Sequence, residues 1–147
     1  MNDYPHAPAI QWNKEVSGSG EESHGHFILT CSDNGYLQVG ETGFIPNSAK
    51  ILVVKTDNSG YLIWKKELGI NGNNLGNSAI ETPSGYIICG SIDGNSALIK
   101  LNKSNGNQEF IQIIDNGGAD AFEHLIQTPN GFMAVGYINA EDNTNTF

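Results

Sequence analysis

The densest run of chemically capable side chains is Glu21-Glu22-Ser23-His24-Gly25-His26. Side chains two apart on an extended strand point to the same side, so His24 and His26 can offer both imidazoles to one ligand. Such a pair suits Zn²⁺, but two histidines do not complete a site, and local spacing fixes no third ligand. The same rings can act as a general base near neutral pH, with Glu21 or Glu22 as the orienting carboxylate. The catalytic candidates are thus His24, His26, Glu22 and, further along, Asp120.

Two Asx-rich stretches, Asp93-Gly94-Asn95 and Asp115-Asn116-Gly117-Gly118-Ala119-Asp120, provide the oxygen donors that Ca²⁺ prefers. They lack the spacing and terminal Glu of an EF-hand, and Asx turns account for the same residues without an ion. Calcium is the first expectation for a cation and zinc the second. The expected ligand-binding residues are Glu21, Asn74, Asp93, Asp120 and Glu123. The chain holds no Walker loop, no Gly-x-Ser-x-Gly elbow, no His-Glu-x-x-His and no Cys-x-x-Cys, so no catalytic set stands out.

These residues sit in a chain that repeats itself. Asp33-Asn34-Gly35-Tyr36-Leu37-Gln38-Val39-Gly40 returns as Pro83-Ser84-Gly85-Tyr86-Ile87-Ile88-Cys89-Gly90 and as Pro129-Asn130-Gly131-Phe132-Met133-Ala134-Val135-Gly136, at spacings of 50 and 46 residues. An apolar alternating run precedes each string. A second, Ile51–Asp57 or Ala97–Asn102, follows it and meets a Gly-centred turn. A last strand carries Trp64 in the first unit and Phe110 in the second. Four short strands per unit, without sustained helical periodicity, predict an all-β fold of four-stranded antiparallel sheets. Superposing the repeats at these spacings places His24, Asn74 and Asp120 at one position, entering the first strand of each unit. There they bind a common ligand or cap a turn.

The N-terminal Gln11-Trp12-Asn13-Lys14-Glu15-Val16 resembles Ile63-Trp64-Lys65-Lys66-Glu67-Leu68, a fourth strand without its first three. The expected organisation is an extension at 1–9, an orphan fourth strand at 10–17, full units at 23–69 and 75–114, and a half unit at 121–147. Trp12, Trp64 and Phe110 share one repeat position and read as packing residues between units.

The motif Thr-Pro-x-Gly-Tyr/Phe-x-x-x-Gly, followed by a Leu-Ile-Lys-Leu-Asn strand and a Gly-x-x-x-Trp/Phe strand, resembles the β-propeller repeats of secreted and surface-attached bacterial proteins. That resemblance covers most of the chain from Gln11 onward. It implies four-stranded blades in an incomplete propeller, closed by further blades from a second chain or from copies of this one. It also implies export and a loop face at the channel mouth for a protein or glycan partner. The alternative is part of a propeller enzyme, a hydrolase or lyase whose site other blades complete. Fold alone does not choose between them.

Composition narrows the partners. A net charge of −9 and a pI near 4.6 argue against nucleic acid and anionic membranes. All seven basic residues are lysines, so the bidentate fork best suited to phosphate or sulfate is missing. Apolar runs are strand-sized, which predicts no transmembrane segment. The N-terminal residues lack a signal peptide's basic start and apolar stretch. The resemblance favours an extracellular or cell-surface location, and the residues alone leave a cytoplasmic one open. Cys89 is expected in the core, whereas Cys31, aligned with Glu81 and Gln127, is expected to be partly exposed. A disulfide between them is not indicated.

Overall fold

The computed structural model describes residues 9–44, 48–70 and 72–138. Those residues form an all-β structure without helices, built as three antiparallel sheets of four, four and two strands. The first unit is β1 (Ser23–Thr30), β2 (Tyr36–Thr42), β3 (Lys50–Thr56) and β4 (Leu62–Leu68). The second is β5 (Asn74–Thr82), β6 (Gly85–Ile92), β7 (Asn95–Asn102) and β8 (Gln108–Ile114). The third is the hairpin β9 (Ala121–Thr128) and β10 (Gly131–Tyr137). Each sheet is a simple meander in chain order. No sheet closes on itself among the described residues. Residues 1–8 of the expected extension at 1–9, and residues 139–147 of the expected half unit at 121–147, lie outside them.

Side-chain alternation divides the interior in two. Leu37, Val39, Ile51 and Val53 of the first sheet pack against Tyr86, Ile88, Ile99 and Leu101 of the second. The opposite face of the second sheet turns Ile87, Cys89 and Leu98 toward Leu125 of the third unit. All of β6 is therefore buried. The first strands carry the stacking: β5 lies against β1, β2 and β3, and β9 lies against β5, β6 and β7.

One irregularity recurs in every unit. The β1–β2 register slips between Gly25 and Phe27, that of β5–β6 between Gly76 and Ser78, and that of β9–β10 between Phe122 and His124. The extra residues of these β-bulges are His26, Asn77 and Glu123. The bulge draws the first strand's backbone onto the second, where Gly40, Gly90 and Gly136 sit. A Cβ on any of them would collide with the carbonyl oxygen of His24, Leu75 or Ala121 respectively. The glycine ending each repeated string is thus required by close approach of backbone.

The register also corrects the sequence alignment. Ser23, Asn74 and Asp120 occupy equivalent places, and His24 falls one residue later, with Leu75 and Ala121. Five residues separate the last β1–β2 pair, Thr30 and Tyr36, but four separate Glu81 from Tyr86. The first turn is one residue longer, with Asn34 at φ 64°. A superposition anchored on the glycine string therefore misplaces everything before it by one. Cys31 is misjudged for the same reason: it follows β1 and is 4% exposed, packed in the core with Tyr86. Both cysteines are free and buried, in different clusters.

Residues 9–18 join no strand ladder, yet they lie on the first unit as β4 lies on the second. Trp12 packs against Tyr36 with ring centroids 5.9 Å apart, and Trp64 against Tyr86 at 6.1 Å, both pairs tilted. Gly60 and Gly106, at φ 79° and 69°, face the Trp12 and Trp64 rings in turn. Lys14 lies over the Tyr61 ring, and Lys66 donates to Asn107. Phe110, at the same repeat position, is 44% exposed.

Candidate functional site

The hairpin β1–β2 sets the geometry of the histidines. His24 stands directly opposite Glu41 in the ladder, and Glu41 is held between β1 and β3, opposite Ile51 on the other side. His24 Nδ1 lies 3.0 Å from Glu41 Oε1, and His26 Nε2 lies 3.0 Å from Glu41 Oε2. The bulge at His26 aims that ring at the same carboxylate. Glu41 is 2% exposed, whereas the His24 and His26 side chains are 54% and 39% exposed. Glu22 Oε2 stands 3.8 Å from His24 Nε2, on the far side of the ring. Glu41 Oε2 makes no hydrogen bond of acceptable geometry, although His26 is beside it.

Sequence reasoning found the two histidines and Glu22 but missed Glu41. The missing signal was hairpin register. Counting back from the turn brings Glu41 opposite His24 only when the five-residue turn and the bulge are both known. Glu21 is exposed and lines a shallow cavity with Ser19, Thr42 and Lys50, away from the imidazoles.

Of the other expected ligand residues, Asn74, Asp93 and Asp120 serve loops and turns, and Glu123 does not. Asn74 is fully buried, and its Nδ2 donates to Ala49 O at 2.8 Å and Ile70 O at 2.7 Å. Asp120, 1% exposed, accepts the Asn116 N–H at 2.7 Å, and its own N–H donates to Gly94 O. Asp115 accepts from the Gly117 N–H two residues on, an Asx turn. Asp93 and Gly94, at φ 48° and 77°, are the two central residues of the β6–β7 hairpin turn. Glu123 is the exposed bulge residue of β9; burial, then the nearby charges of Glu123 and Asp120, push the Tyr137 phenol up. Loops entering the first strands and loops joining second to third strands do share one end of the array: Asn74 N–H reaches Ala49 O and Asp120 N–H reaches Gly94 O.

Across the units, the residues just past the bulges meet. Phe27 and His124 contact edge to face at 5.9 Å, and Ser78 Oγ lies 3.2 Å from His124 Nδ1. First strands two units apart thus touch, which a flat row of sheets would prevent.

No protein-family model matches the chain, and no curated protein sequence matches it.

Proposed function

We propose that the chain is a structural and binding segment of a β-propeller, with its sheets as blades and its first strands innermost. The contact of Phe27 with His124 carries this reading, because it requires the sheets to fan around a common centre. The repeated tilted contact of Trp12 with Tyr36 and of Trp64 with Tyr86 supports it, since each blade covers the next by one rule. The ring is completed by further blades, from a second chain or from copies of this one. Their docking face is the exposed apolar surface of the last units: Phe110 on β8, Met133 and Val135 on β10. A carboxylate- and amide-rich loop end suits a protein or glycan partner outside the cell. No helix of the described residues is long and apolar enough to cross a membrane.

The test is the native mass by light scattering, with denaturing mass spectrometry of every chain in the peak. A particle heavier than 15.8 kDa that contains a second polypeptide or several copies supports ring completion. A stable species at 15.8 kDa over a wide concentration range overturns it.

The enzyme reading is second. It required His24 and Asp120 to converge, whereas His24 pairs with Glu41 on β1–β2 and Asp120 ties down the loop before β9. The cluster around Glu41 is the observation that keeps a chemical role in view.

A further inference from the structure

We infer that His24, His26 and Glu41 form a binding site for a divalent cation of the zinc class, with Glu22 as the outer partner of His24. Two imidazole nitrogens and one carboxylate oxygen are a donor set for zinc, nickel, cobalt or copper rather than for calcium or magnesium. One ligand atom from each residue lies within 4.8 Å of the others. Tetrahedral zinc with bonds of about 2.0–2.2 Å spaces its ligands about 3.4 Å apart. The closure needed is small, and both half-exposed imidazoles have room to make it.

Burial of Glu41 supplies the second observation. A carboxylate removed from water requires compensation, and one of its oxygens has no well-formed hydrogen bond. That oxygen lies 3.0 Å from His26 Nε2, and its neighbour Oε1 lies 3.0 Å from His24 Nδ1, so the carboxylate faces both rings. The carboxylate is rigid because β2 is paired on both sides, while the flexible donors sit toward solvent. Glu22, 3.8 Å from the remaining His24 nitrogen, is placed to hold the ring's orientation once Nδ1 is bound. The fourth position opens to solvent, where water or a partner's side chain completes the shell.

The donor set belongs to one unit. The counterparts of His24, His26 and Glu41 are Leu75, Asn77 and Ser91 in the second unit, and Ala121, Glu123 and Tyr137 in the third. A device needed to build every bulge would recur, and this one does not. The site depends on the hairpin β1–β2 alone and is independent of ring closure.

The experiment is calorimetric titration of the tag-free full chain with zinc chloride, followed by cobalt(II) substitution read by visible absorption. One ion per chain is expected, with affinity lowered at least about tenfold in H26A and in E41Q. His124→Ala is expected to bind as the parent does. Cobalt ligand-field bands are expected in the parent and absent from H26A. Circular dichroism checks folding. Should E41Q fail to fold, H24A and H26A carry the test, because their side chains are half-exposed. Absence of a one-site isotherm, or an isotherm unchanged in H26A, overturns the site and leaves the cluster as a pair of histidine–carboxylate contacts.

Discussion

At the scale of single residues, the clearest energetic commitment is Lys55. Its side chain is 2% exposed, and its ammonium bonds Asp33 at 2.8 Å and Thr56 O at 2.9 Å. That hydrogen bond holds the Asp33 carboxyl below the usual carboxylate range. A depressed carboxylate stabilises the fold above its unfolded pKa and loses that contribution as pH falls through the folded one. Asp33→Asn leaves a buried cation short of one partner; because Asp33 itself is 47% exposed, solvent screening discounts the loss, and about 1 kcal/mol is expected at neutral pH in urea unfolding. The gap between parent and variant should narrow as pH falls below the ordinary aspartate value of about 4. Lys55→Met, which removes the charge and keeps the volume, should cost less than Asp33→Asn. The thiols give a second test. Burial raises the Cys31 thiol and pushes Cys89 up to about 12. Both should resist thiol reagents in the native protein and react on denaturation, with two equivalents counted by mass spectrometry.

At the scale of elements, the bulged hairpin is the unit that repeats. Gly40 and Gly25 oppose each other in one ladder but differ in surroundings. A methyl at Gly40 meets the His24 carbonyl, and a methyl at Gly25 meets nothing within 4 Å. Gly40→Ala is therefore expected to cost about 3 kcal/mol, since backbone cannot move aside as a side chain can. Gly25→Ala should stay within about 0.5 kcal/mol, both by denaturant titration. The aromatic on each fourth strand links neighbouring elements. Trp64, 9% exposed over Tyr86 and Gly106, should cost about 3–5 kcal/mol when replaced by Ala. Smaller bridges between units accompany it: Glu81 accepts from the Ser32 backbone and hydroxyl and pairs with Lys103.

At the scale of the whole molecule, sheets one and two are covered on the faces they share, while the third unit presents apolar side chains outward. Met133 and Val135 are each 62% exposed. An exposed apolar sheet face of this kind marks an interaction surface or an aggregation hazard. Under the propeller reading it is the seat of the next blade. Replacing Met133 and Val135 together by Glu should then leave the circular dichroism spectrum intact and lower the native mass toward 15.8 kDa. An unchanged mass for that folded variant would place the assembly interface elsewhere.

The repeated strings, their alternation and their glycine turns by themselves determined the all-β architecture, because a period of two and residues suited to positive φ are local properties. The packing role of Trp12 and Trp64 was legible for the same reason, while Phe110 at the equivalent position is 44% exposed. Tertiary structure decided register. One extra residue in the first turn shifted His24 off the Asn74 and Asp120 position, and that residue together with the β1–β2 bulge brought Glu41 between two histidines; packing against Tyr86 buried Cys31. Neither insertion alters composition or periodicity, yet a one-residue slip exchanges the faces of a strand. The residues of the candidate site were therefore visible in part from the sequence, and their meeting was set by pairing across the sheet.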